Sequence, residues 1–228
     1  MVLVTQKPRE VRPRTPRLVV AIAVVAVVAT PVLLYPYLGL DRSSSRIPVT
    51  TGLHYAVLVV HVLTASVAML LGVLQLVPRI RARRAVHRRL GRVFLVLGLV
   101  AFALTGIPLA LSTPSGDVTR YGVLVPALAW PVCAGLGWVA IRDRRLVAHR
   151  EWMIRTYALT FFAMTTRLVV PVLLAVQMPF RSDRSPGAVR ELVESTIPYG
   201  QWAGWIIDLA VAEYVIRRLR RAAPAGSG

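Results

Sequence analysis

Long apolar runs alternate with short arginine-rich or polar breaks along the whole chain. Six such runs cover approximately residues 18–40, 54–77, 91–111, 121–141, 152–176 and 199–216. Each is close to the roughly 20 residues that a helix needs to cross a hydrocarbon core of about 30 Å. The pattern therefore predicts an all-α integral membrane protein, a bundle of six transmembrane helices. The first run is longer than a signal-peptide core and ends in Tyr35-Pro36-Tyr37 with no small-residue cleavage site, so it reads as a retained span. The short connections predict up-and-down neighbours in one compact bundle. In the longest connection, 177–198, Ser185-Pro186 is suited to cap and start a short helix through Val193, either an interfacial spacer or a lid. The domain reading is a basic tail over 1–17, a membrane domain over 18–216, and a basic, disordered tail over 217–228.

Composition agrees with the pattern. The 228 residues are 56% hydrophobic and only 17% charged, with a mean hydropathy of +0.61. The 28 basic residues against 10 acidic ones give a net charge of +18, which taken alone suggests a nucleic-acid partner. The placement of the basic residues argues otherwise. They cluster in the N-terminal tail, in the second-to-third connection (Arg79 to Arg92), in the fourth-to-fifth connection (Arg142 to Arg155) and after Ile216. The alternate connections hold only Arg42, Arg46, Arg120, Arg181, Arg184 and Arg190. This is the positive-inside distribution, with both termini in the cytoplasm. It implies a multi-pass protein of the cell (inner) membrane whose basic loops face anionic lipid heads, and no nucleic-acid partner. The single cysteine, Cys133, excludes an internal disulfide and a cysteine-based zinc site.

Ionisable residues inside the spans must face a partner or a cavity. At a rise of 1.5 Å per residue, His61, Arg167 and Asp208 lie about 10, 13 and 13 Å below the outer ends of their spans, hence in one layer. A buried Arg167–Asp208 pair with His61 beside it is the resulting expectation. It would be a polar chamber open to the outside or a closed structural clamp. His54, His61, Ala68, Gly72 and Gln75 fall on one stripe of the second span, and Gln201, Trp205, Asp208 and Ala212 on one face of the sixth. Glu213 points elsewhere and is expected to pair with Arg217.

The third and fifth spans are both introduced by His-Arg, at His87 and His149, and both run from inside to outside. Two histidines on parallel helices at one depth can ligate a haem iron from both faces, with Arg88, Arg92 and Arg150 suited to its propionates. His87, Gly91, Phe94, Gly98 and Thr105 share a face that a neighbouring helix or a planar ligand could approach closely. The plain alternative is an interfacial belt that grips lipid phosphates, anchored by Trp152. No metal set beyond a possible haem b stands out, because four histidines split between two sides make no zinc site.

These elements resemble a bacterial family of polytopic membrane proteins of unknown function. The resemblance rests on His61 followed by a small-residue face, the His-Arg-x-x-Gly-Arg run at 87–92, and the His-Arg-x-Trp-Met-x-Arg-x-Tyr-Ala run at 149–158 leading to Arg167. It covers roughly 54–171 and leaves the first and last spans as flanks. The arginine-rich, lysine-poor composition is similar to that of actinobacterial proteins. A more distant similarity is to b-type cytochrome bundles, but the fourth span has Trp130 and Pro131 at its centre and no histidine. Three functional expectations follow. One is a haem-binding redox protein using His87 and His149. Another is a transporter or a lipid- or proton-handling protein using His61, Arg167 and Asp208. The third is a scaffold without chemistry. No phosphate-binding loop, serine-protease triad or His-Glu-x-x-His motif is present.

Overall fold

The computed structural model describes residues 16–222. Among these there is no strand; six long helices carry the chain. They are α1 (Arg17–Leu38), α2 (Gly52–Leu76), α3 (Arg84–Leu111), α4 (Gly116–Arg142), α5 (Leu146–Gln177) and α6 (Pro186–Arg221). The first five are long and apolar enough to cross a membrane. α6 is the longest, at 36 residues, but Asp208, Glu213 and its terminal arginines dilute its apolar character. Prolines sit inside α1, α4, α5 and α6, a feature that membrane helices tolerate because neighbouring groups take up the freed carbonyls.

Two elements differ from expectation. The short helix after Ser185 and the last span are one continuous helix, with Pro198 inside it. Ser185 caps it by accepting from Ala188 N at 3.4 Å. The Gln177 carboxamide donates to Leu173 O at 3.1 Å and to Thr196 Oγ1 at 3.2 Å, which ties the end of α5 to the early turns of α6. At 1.5 Å per residue, α6 extends about 54 Å, well beyond a hydrocarbon core. The basic C-terminal segment also stays helical to Arg221; residues 1–15 and 223–228 of the expected tails lie outside the described residues.

The exterior is apolar. Val28, Val96, Leu104, Val132 and Val172 are all more than half exposed, whereas the interior holds small, aromatic and hydroxyl side chains. A surface of this kind belongs in lipid, where close packing holds helices together in place of hydrophobic exclusion. The tightest packing surrounds Trp130, which is 1% exposed. Its ring stacks on Phe102 with centroids 5.1 Å apart and meets Phe94 edge-on at 5.9 Å. Its Nε1 donates to Thr160 Oγ1 at 2.8 Å. Gly98 of α3 lies directly against the indole. The planar group that the glycine-lined face of α3 admits is thus the protein's own tryptophan.

At the arginine-rich end, α5 and α6 are joined by two forked ion pairs. Arg155 donates to Glu213 at 2.5 and 3.1 Å, and Arg220 donates to Glu151 at 2.6 and 2.5 Å. Glu213 therefore reaches across to the neighbouring helix and does not pair with Arg217 as expected. The fork geometry explains the choice, since a guanidinium on a facing helix can offer both nitrogens at once.

Candidate functional site

α3 does not stay α-helical. Over Leu99–Gly106 it winds as a π-helix, which widens the turn and changes the carbonyls' hydrogen bonding. Ala101 O turns toward α2, where His61 Nδ1 lies 2.8 Å from it and 3.3 Å from Thr105 Oγ1. Thr105 Oγ1 itself donates to the Val100 and Ala101 carbonyls. A carbonyl can only accept, so the Nδ1 of His61 carries the proton and its Nε2 keeps a lone pair.

His61 lines a cavity of about 1070 Å³. All six helices contribute to the wall. Leu33, Leu58, Val62, Phe102 and Val170 make it largely apolar, and Thr119, Thr160, Thr166 and Gln201 add hydroxyl and amide groups. Arg46, His54, Ser115 and Arg190 stand at its open rim. The rim is shaped by Asp41, which accepts from Ser43 N at 2.9 Å and from Ser43 Oγ at 2.5 Å. Those hydrogen bonds hold its carboxyl below the ordinary value. The Asp41 carbonyl accepts from Tyr55 of α2 at 3.0 Å, which seats this loop.

Arg167 also lines the cavity, with Tyr37 and Arg46 within electrostatic range. One of its nitrogens donates to Ala163 O one turn back at 2.7 Å. It forms no ion pair with Asp208. Asp208 instead accepts from Thr165 Oγ1 at 2.7 Å in the seam between α5 and α6, and its other oxygen is buried without a partner. The reason is angular. Thr165 and Arg167 are two residues apart, hence about 200° around α5, so the residue beside Thr165 on α6 cannot also face Arg167. A common expected depth does not decide which groups the three residues meet. Rotation puts His61 and Arg167 on the cavity and leaves Asp208 off it.

The cavity has a cationic surplus. Of its charged lining groups, Arg46, Arg167, Arg190 and Glu194, the only carboxylate is Glu194, and it already accepts from Arg190 at 2.8 Å. Among the described residues neither Arg46 nor Arg167 has a carboxylate partner. Arg46 and Arg190 are cavity residues that the sequence presents only as loop charges.

The other candidate histidines meet at the arginine-rich end. His149 lies within electrostatic range of His87, as does Arg81. His149 Nδ1 is 2.8 Å from Gly137 O of α4 and so donates to it. Gln75 of α2 reaches His87. With the carboxamide nitrogen toward the ring, that nitrogen is 3.2 Å from His87 O and 2.6 Å from its Nδ1, while the carboxamide oxygen accepts from Gly91 N at 3.3 Å. Arg88 and Arg92 are turned outward, where with Ala85 and Arg89 they border a shallow recess of about 320 Å³. Arg150 is exposed, within electrostatic range of Arg81. Among the described residues no three histidine, cysteine or carboxylate groups gather as a metal site.

An apolar-skinned bundle that encloses a mixed cavity defines the class: a multi-pass helical membrane protein. The chain belongs to the DUF2306 family of predicted membrane proteins, whose model matches residues 58–216. That match runs through α6, beyond the motif-bearing core at 54–171, and makes the last helix part of the family unit. No curated protein and no solved structure matches the chain.

Proposed function

We propose that the protein spans the cell membrane six times, with both termini in the cytoplasm, and binds an amphiphilic anion in the cavity at its outer end. The observation that carries this reading is the combination of an apolar wall with two guanidinium groups, Arg46 and Arg167, that have no carboxylate of their own. Arg167 suits a carboxylate or phosphate head, because its planar fork pairs with two oxygens at once. The Nε2 lone pair of His61, on the same cavity, can accept from a hydroxyl group of the ligand. Leu33, Leu58, Val62 and Val170 take the hydrocarbon part. The arginine-rich end supports the orientation, since it would meet anionic lipid heads on the cytoplasmic side.

Binding of a pyrene-labelled fatty acid to protein in lipid nanodiscs tests the reading. Saturable binding is expected, and Arg167→Gln should weaken it about 10- to 100-fold, as expected for a lost charge-assisted hydrogen bond. The corresponding neutral alcohol should bind poorly to both forms. Equal binding of acid and alcohol, unchanged by Arg167→Gln, would remove the proposal.

The haem reading of His87 and His149 fits the donor set less well. Two axial ligands each need a free ring-nitrogen lone pair. With Gln75 donating to its Nδ1, the neutral His87 ring carries its proton on Nε2, while His149 has Nε2 free. One donor and one acceptor suit a shared water or proton better than an iron between them. Protein purified from haem-supplemented cells is expected to show no Soret band; a band lost in His149→Ala would restore the redox reading.

A further inference from the structure

Four polar atoms in and beside the α5–α6 seam are fully buried and have no partner: Thr166 Oγ1, Gln201 Oε1, Trp205 Nε1 and Asp208 Oδ2. Gln201, Trp205 and Asp208 follow one another on one face of α6, at spacings of four and three residues. Thr165 and Thr166 belong to the α5 side of the same seam. Thr165 Oγ1 donates to Asp208 at 2.7 Å, and a Cβ added at Gly204 would come within 2.5 Å of Thr166 Oγ1. Gln201 and Thr166 also line the large cavity, whereas Trp205 and Asp208 do not. The unpartnered atoms therefore form a line that starts at the cavity wall and ends at a carboxyl.

Unpaired buried polar atoms are costly, and neighbouring orphans commonly share ordered water. The chemistry of this line suits water: Trp205 Nε1 can only donate, Gln201 Oε1 and Asp208 can accept, and Thr166 can do both. Gln201 and Asp208 are seven residues apart, about 10 Å along the axis. That is too far for one metal ion to touch both, and close to the span of two or three waters. No guanidinium or ammonium group reaches Asp208 among the described residues. Of the titratable groups on α5 and α6, Tyr157 lies within electrostatic range of it and is hydrogen-bonded to Met69 O at 3.4 Å, and Glu213, five residues further along α6, is held by Arg155. α4, which also packs on α6, brings Cys133 near Arg155 and Glu213.

We infer that Asp208 is a reversible proton-binding site, reached from the outer cavity through water held by Thr166, Gln201 and Trp205. Uptake is a simple transfer: hydronium entering from the cavity gives its proton to Asp208 Oδ2, which becomes a carboxylic acid, and leaves water behind. Thr165 fixes the opposite oxygen throughout. The inference uses the cavity only as a source of water and stands whether or not an amphiphilic anion binds there.

Infrared difference spectroscopy of the whole protein in nanodiscs, without added ligand, tests it. Wild type should show a protonated-carboxyl C=O band whose intensity follows pH. The band should vanish in Asp208→Asn and persist, shifted, in Asp208→Glu, the second variant also showing that the fold survives. On transfer to D₂O the band should shift rapidly in wild type, and about tenfold more slowly in Thr166→Val and Gln201→Leu, each of which removes one hydrogen-bonded station. Absence of any such band, or one unaffected by Asp208→Asn, would overturn the site. Exchange unchanged in both Thr166→Val and Gln201→Leu would overturn the route. A band that responds to sodium and not to pH would replace the proton by a cation. None of these readouts depends on fatty-acid binding, so failure here and failure of the anion reading are separable.

Discussion

Gly98→Leu is expected to destabilise the bundle by more than about 3 kcal/mol, the upper range for overpacking a filled core. Even the Cβ alone would fall inside contact distance of the Trp130 ring. The indole cannot retreat. It is stacked on Phe102, met edge-on by Phe94, and held by its hydrogen bond to Thr160. Turning it aside would leave Nε1 unpaired at 1% exposure and strip Phe102 of its partner. Loss of the cooperative thermal transition in detergent, followed by tryptophan fluorescence, is the measurement. Gly135→Ala is the matched control. A Cβ there meets nothing within 4 Å, so it should be neutral or raise stability by up to about 1 kcal/mol through helix propensity. A Gly98→Leu protein that melts like wild type would mean that α3 and α4 do not pack as described.

Glu213→Gln is expected to loosen the α5–α6 junction by about 2 kcal/mol. The Arg155 side chain is 19% exposed and Glu213 40%. Removing the carboxylate strands a largely buried guanidinium, a loss of about 3–5 kcal/mol for a fully buried pair, reduced here because Glu213 is partly screened by solvent. Arg155 also lies over the Trp152 ring at 4.6 Å, and that contact stays. Glu151→Gln should cost less, because Arg220 is 61% exposed. The two pairs join the same helices, so the double variant should deviate from additivity. Unfolding at low and high salt checks this: wild type should lose more stability with salt than Glu213→Gln. An unchanged melting temperature in Glu213→Gln would sink the clamp.

The apolar runs made the helices legible, because lipid forces every spanning segment to satisfy its own backbone. Counting residues from the ends of their spans gives His61, Arg167 and Asp208 a common expected depth. Azimuth was not legible. The 200° between Thr165 and Arg167 decides which of them meets Asp208, and nothing in one helix's sequence says which face its neighbour takes. The role of Arg46 and Arg190 was hidden for a different reason. Their wall is assembled from a loop and from the early turns of α6, and α6 looked like two pieces because Pro198 reads as a breaker. The Arg155–Glu213 fork was missed because a partner one turn along the same helix is visible in sequence, and one 58 positions away is not.

The widened winding of α3 over Leu99–Gly106 has a consequence for inheritance. A π turn holds one residue more than its α equivalent, so this helix behaves as if it carried a spare. A relative lacking one position there could close the helix to ordinary pitch with its length nearly preserved. Everything beyond the deletion would keep its face, because the wide turn has already absorbed the extra residue, but the carbonyl that anchors the His61 ring would be drawn back into ordinary helical bonding. A single codon could in this way separate relatives that keep the imidazole fixed at the cavity from relatives that share the bundle but leave that ring free to rotate.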